Sequence, residues 1–145
     1  MPTPARHDMF TLAHKAVRHA LFQVAALVAR TDFDDDAERA TAERELASCL
    51  ALLRGHAELE DRIVFPALLH ADPELFASLA LDHTRLEQAA IDVESLLPRI
   101  AAATDERPSF SSELQRRCNA LVAEHLRHMG REEREVNAAL WARFD

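Results

Sequence analysis

Residues 54–66 read RGHAELEDRIVFP, and residues 124–136 read EHLRHMGREEREV. In each stretch a glutamate follows a histidine by four residues: His56 with Glu60, and His128 with Glu132. On an α-helix that spacing stacks both side chains on one face, one turn apart. The faces concerned are otherwise apolar. Outward from the first pair the face reads Leu46, Cys49, Leu53, His56, Glu60, Ile63 and Ala67, and outward from the second it reads Leu114, Cys118, Leu121, His125, His128 and Glu132. Two further stripes have the same steps of three and four: Phe10, His14, Val17, Leu21, Val24, Val28, and Phe76, Leu79, His83, Leu86, Ala90, Val93, Leu97. Such stripes are the core seams of amphipathic helices, and each of the four is interrupted by histidine.

The punctuation between the stripes separates four helices. The first is expected from about Asp8, its N-cap, to Arg30. The run Asp32, Asp34, Asp35, Asp36 breaks it and opens the second, which continues to about Leu69 with a kink at Pro66. Asp72-Pro73-Glu74 is a helix start: a cap, a proline in the first turn and an acid at the positive dipole end. The third helix fades near Ala103, with Pro98 marking a kink or a stop, and Pro108 and Ser109 open a fourth that reaches about Phe144. Short connections make neighbouring helices antiparallel, so the expected fold is all-α, an up-down-up-down four-helix bundle. The whole chain, 1–145, is expected to be one domain with one core. Two glycines and no tyrosine, in a chain rich in Ala and Leu, agree with that class.

In such a bundle the polar interruptions meet at one level. Glu60 and His83 each lie about ten residues, roughly 15 Å, from the turn that joins the second and third helices. His83 and His128 each lie about twenty residues, roughly 30 Å, from the opposite turn. His14 and His56 agree to within about one turn across the first connection. Four histidines and two glutamates facing one buried level call for positive charge, and no seam carries Lys or Arg beside them. Six donors are too many for one zinc and suit two metals with two bridging carboxylates. Imidazole with carboxylate fits iron or manganese, with zinc as a substitute.

At these residues the chain resembles the haemerythrin-like, or HHE cation-binding, domain family. The pieces that carry the resemblance are AHKAVRHALF with His14, RGHAELEDRIVFP with His56 and Glu60, LDHTRLE with His83, and EHLRHMGREEREV with His128 and Glu132. They cover all four helices. The resemblance implies a four-helix bundle with a di-iron centre in which His14, His56, His83 and His128 are terminal ligands and Glu60 and Glu132 bridge. It implies a small diatomic or peroxide partner, with oxygen or nitric oxide sensing, iron handling or redox defence as roles. The oxygen carriers of the family have an HxxxH pair on the third helix where this chain has His83 and Glu87. Their last motif uses a longer His-to-Asp spacing. Both departures point away from reversible oxygen carriage and toward a more carboxylate-rich centre. An oxidase or peroxide-decomposing enzyme at the same centre is the second reading, and a degenerate, partner-binding bundle the third.

Other residues carry less. His125 competes with His128 on the same seam; the family motif selects His128 and leaves His125 beside the ligands. Glu87 reads as a surface acid or a ligand's neighbour. His7, His19 and His70 read as bystanders, the acidic run 32–36 as a solvated loop without EF-hand spacing, and Cys49 and Cys118 as small core hydrophobes outside any CxxC pair. Phe22, Phe33, Phe65, Phe76, Trp141 and Phe144 read as packing residues. No ExxH, HExxH, GxSxG or glycine-rich phosphate loop occurs. The formal net charge of −8 and the absence of a basic stripe argue against nucleic-acid binding. No run is long enough to span a bilayer, and residues 1–10 lack a signal-peptide core, so the expected location is the cytoplasm.

Overall fold

A computed structural model describes residues 6–144, and the described residues contain helices and no strand. The order is α1 (Thr11–Arg30), α2 (Asp36–Ile63), α3 (Phe65–Ala71), α4 (Pro73–Ala102), α5 (Arg107–Arg131), a π-helical turn (Glu132–Val136) and α6 (Asn137–Phe144). Helix α1 packs on α2 and α5, and α4 packs on α2, α3 and α5.

The helix starts follow their capping residues. Helix α1 begins at Thr11 with Phe10 as its N-cap, two residues later than the expected Asp8, which instead holds the turn before the helix by accepting from the amides of Phe10 at 2.9 Å and Thr11 at 3.1 Å. Asp35 accepts from the amides of Ala37 and Glu38, and Asp72 from that of Leu75, each satisfying donors that a first helical turn leaves free. The acidic run is held by two arginines: Asp36 pairs with Arg39 in the same helix and Asp34 with Arg107 at the start of α5.

Two prolines act differently from expectation. Pro66 does more than kink the second helix. It separates α2 from the short α3 at Val64, because a proline offers no N–H and crowds the preceding turn. The break rotates the chain, so Ile63, expected in the seam, is 56% exposed while Val64, Phe65 and Leu68 are buried. Pro98 does not stop α4, which runs on to Ala102. Near a C-terminus it deletes a single hydrogen bond, and Leu96 and Ile100 bury the same turn in place of the expected Leu97, which is half-buried. Phe33 and Phe65 are buried as expected, but Phe22 and Phe144 are exposed and do not pack in the core.

The apolar core has two parts. One joins Val17, Leu21, Val24, Leu46, Leu53, Val93, Ile100, Leu114 and Leu121. The other joins Phe10, Val64, Phe65, Leu68, Leu79, Val136 and Leu140 around α3 and α6. Cys49 and Cys118 are buried free thiols in the first, pushed up by burial to about 11 and about 12. No described helix is long and apolar enough to cross a membrane.

Candidate metal centre

The six expected residues come together. His14, His56, Glu60 and Glu132 form one group and Glu60, His83, His128 and Glu132 a second; within each, one donor atom per residue lies within 4.8 Å of the others. Glu60 and Glu132 belong to both groups. His14 and Glu132 have no exposed surface, Glu60 and His128 are buried, and His56 and His83 are half-buried.

The geometry at the shared carboxylates is that of converging electron-pair donors. His14 Nε2 stands 3.4 Å from Glu60 Oε1 and 3.4 Å from Glu132 Oε2. His56 Nε2 is 3.0 Å from Glu60 Oε1, and His128 Nε2 is 3.1 Å from Glu132 Oε1. Those distances suit hydrogen bonds, yet His56 Nε2 and both oxygens of Glu132 are buried and make none. Native proteins seldom leave buried acceptors so. His83 Nε2 and His128 Nε2 face each other at 3.0 Å. Either one of these nitrogens carries its ring proton and donates to the other, or a metal accepts both electron pairs. The donor set of four imidazoles and two carboxylates, with its orphaned carboxylate oxygens, fits a pair of divalent metals.

The electrostatics say the same. Burial pushes the His14 and His83 imidazoles down, but the Glu132 and Glu60 carboxylates outweigh it and raise them to about 9 and about 10, with Glu133 adding at His14 and Asp61 at His83. Burial raises Glu60 and Glu132, and the surrounding imidazoles reverse this and hold both carboxyls well below the usual range. The layer favours ionised glutamates with cations between them.

Behind the converging atoms stands an outer set of acids. Glu133 Oε1 accepts from His14 Nδ1 at 2.9 Å and pairs with Arg18 at 2.8 Å. Asp61 Oδ1 lies 2.9 Å from His83 Nδ1. Asp82 Oδ2 lies 3.5 Å from His128 Nδ1 and holds Arg131 at 2.7 Å. Where the carboxylate accepts from the outer ring nitrogen, as at His14 and His83, it fixes the tautomer and aims Nε2 inward, which is how metal-binding histidines are held; His128 Nδ1 makes no hydrogen bond. The sequence reading missed all three. A signal was available: each acid adjoins a donor in the chain, Asp61 after Glu60, Asp82 before His83 and Glu133 after Glu132. Each serves a histidine on a different helix.

The rest of the surroundings comes from the helix irregularities. The break at Val64 brings the Phe65 ring to 4.7 Å from that of His83, nearly parallel, and Phe10 lies 5.2 Å from His14. The π-turn begins at Glu132, a common place for such turns being a functional site. Val136 at its end and Asn137 and Leu140 beyond it are buried, and Asn137 Nδ2 donates to Asp8 and to the Glu133 carbonyl, tying α6 to the turn before α1.

The competing residues are separated. His125 is buried but belongs to neither group; burial first, then the charges of His128, His56 and His83, push it down to about 4. Glu87 faces outward in an ion pair with Arg54. His7, His19 and His70 are exposed.

A family model, the Hemerythrin HHE cation binding domain, matches residues 6–140. No curated protein and no solved structure matches the chain. The matched span takes in every donor of both groups and all three outer acids, so the chain belongs to the haemerythrin HHE cation-binding domain family.

Proposed function

We propose that the chain holds two iron ions in its histidine–glutamate layer and there meets a small diatomic or peroxide molecule, as a sensor or handler of oxygen, nitric oxide, peroxide or iron. The observation that carries this reading is the pair of four-donor groups sharing Glu60 and Glu132. Two shared carboxylates suit metals about 3.5–4 Å apart, as in other two-metal sites. His14 and His56 complete one set and His83 and His128 the other. Manganese or zinc can substitute on the same donors.

Iron bound there supplies redox chemistry and open positions for a small molecule. The chain's own residues do the rest. Glu133 and Asp61 hold the outer nitrogens of His14 and His83, so Nε2 of each presents its electron pair inward. Phe10, Phe65 and the apolar clusters on either side keep water away. In this reading α2 with α3, and α5 with the π-turn and α6, each act as one interrupted rod of an up-down-up-down four-helix bundle, and the acidic chain works in the cytoplasm.

The size of the openings favours a small ligand. About 50 Å³ lies beside His83 and His125, and about 200 Å³ beside His128. Both fall below the roughly 300 Å³ at which pockets for organic substrates begin. A groove of about 560 Å³ runs between α1 and α2 and touches no donor. Peroxide turnover suits these openings; oxidation of a larger organic substrate does not.

The test is metal analysis of protein purified without chelator, with optical spectra in air and under nitrogen. The expected result is about two irons per chain, as for a two-metal site, and a spectrum that differs between the two atmospheres. A single tetrahedral zinc as the only metal in carefully iron-loaded protein refutes the proposal.

A further inference from the structure

Beside the donor layer, between α2 and α4, lies a cavity of about 50 Å³. Leu53, Ala57, Leu86 and Ala90 supply its apolar wall, and His83 and His125 line it on the side of the metal centre. Leu53, Leu86, Ala90 and His125 are buried. Arg54 and Glu87 also line it. Arg54 Nε donates to both oxygens of Glu87 at 3.1 Å, while its two terminal nitrogens donate to the two oxygens of Glu94 at 2.7 and 2.8 Å. One side chain of α2 thus clamps two acids of α4 across the cleft.

Resting on the di-iron reading above, we propose that this cavity holds a small neutral molecule of diatomic size on its way to the His83 side of the metal centre, with the Arg54–Glu87–Glu94 clamp as its lid. The size argues for the occupant: a water takes about 30 Å³ of liquid, and small apolar cavities stay dry and take up gases such as xenon. The charge argues for neutrality. The clamp carries one positive and two negative groups, so its net charge repels small anions, and the aliphatic wall penalises any ion. The partners argue for a lid that moves. All three clamp residues are partly exposed, so water can take over their hydrogen bonds when the arginine swings away.

The experiment uses the full chain, wild type, with Arg54→Gln to release the clamp and Ala57→Phe to fill the cavity. Ala57→Leu serves as a gentler plug should the phenylalanine disturb folding. Crystals pressurised with xenon should show one xenon against Leu53 and Leu86 in the wild type and none in the plugged variant. In iron-loaded, reduced protein, stopped-flow nitric oxide binding should slow roughly tenfold on plugging, the equivalent of about 1.4 kcal/mol of barrier, and quicken in Arg54→Gln. No xenon in a chain that holds iron overturns this inference alone. Unchanged nitric oxide rates in all variants overturn it as well. Xenon seated in a chain that cannot hold iron overturns the route to the metal together with the di-iron reading.

Discussion

Stripping the metal should make the stability of this chain depend steeply on pH above neutrality. Without metal, protons on His14 and His83 are the cations available to the two buried glutamates, and the folded chain raises these imidazoles to about 9 and about 10. Both values lie above the unfolded value near 6.5. Their contribution is therefore complete below about pH 6.5 and is lost as pH rises toward 9 and 10. Glu60 and Glu132 are shifted the other way, so their contribution is present above the ordinary carboxyl value and is lost only in acid. His125, pushed down to about 4, costs stability as pH falls below about 6.5, so the stripped chain should be most stable near pH 6.5.

One pKa unit corresponds to about 1.4 kcal/mol. The two imidazoles share the same carboxylates, so their shifts do not add in full, and the expected loss from pH 6.5 to 9 is on the order of 3 kcal/mol. At roughly 3 °C per kcal/mol for a chain of this size, Tm falls by about 10 °C. In the loaded chain metal takes the place of those protons, so the same interval should be nearly flat. Free metal at 100 times Kd adds about 2.7 kcal/mol per site, or about 8 °C. The assay is thermal unfolding by circular dichroism of chelator-treated and iron-loaded protein from pH 6 to 9. Near that upper limit the buried thiols of Cys49 and Cys118 begin to add to the loss, because the unfolded thiols ionise there first. Equal melting temperatures at pH 9, or a flat curve for the stripped chain, would refute the buried cation layer.

Three further outcomes are expected. His128→Ala should lose at least one metal by elemental analysis, whereas His125→Ala should keep both and alter the optical spectrum; the reverse pattern would move the ligand to His125. Glu133→Ala removes the partner of His14 Nδ1 and should weaken metal binding about 10–100-fold, read by competition with a chelator of known affinity; unchanged affinity would leave the outer acid without a role. Asp72→Ala deletes the cap of α4 and should cost about 1 kcal/mol in denaturant unfolding with metal content intact, while a loss of metal there would mean that the cap and the centre are coupled.

Much of the centre was legible because it depends on helical period and on chain length between turns. The His56/Glu60 and His128/Glu132 pairs need only one regular turn to share a face; the first lies before the break at Val64, and the second ends on the first residue of the π-turn. The level of each donor follows from counting residues to the nearest connection. What escaped was set by departures from regularity. Ile63 continues the α2 stripe on paper, but the break before Pro66 turns it outward and brings in Phe65 to stack on His83. The π-turn after Arg131 has no comparable sequence mark: no proline and no glycine lies within 132–136. The outer acids were hidden for a different reason. A residue next to a donor in the chain points about 100° away on its own helix, so it appears to leave the site. It leaves its own helix's seam only to reach the back of a histidine on another.

That cross-helix arrangement explains how a costly layer is kept in place. The polar groups divide the apolar core into two clusters, one around Leu21, Leu46 and Leu114 and one around Phe65, Leu79 and Val136, so hydrophobic packing is interrupted where the donors stand. What spans the gap is directional. Asp61 on α2 holds His83 on α4, Asp82 on α4 holds Arg131 and stands behind His128 on α5, and Glu133 in the π-turn holds His14 on α1. Rotating α2, α4 or the rod of α5 and its π-turn by a single residue would remove its donor from the centre and its acid from a neighbour's histidine together, and rotating α1 would remove His14 from both Glu133 and the centre. The layer therefore sets the register of the four long segments, α1, α2, α4 and α5. The same residues that call for metal fix the geometry in which metal can be held.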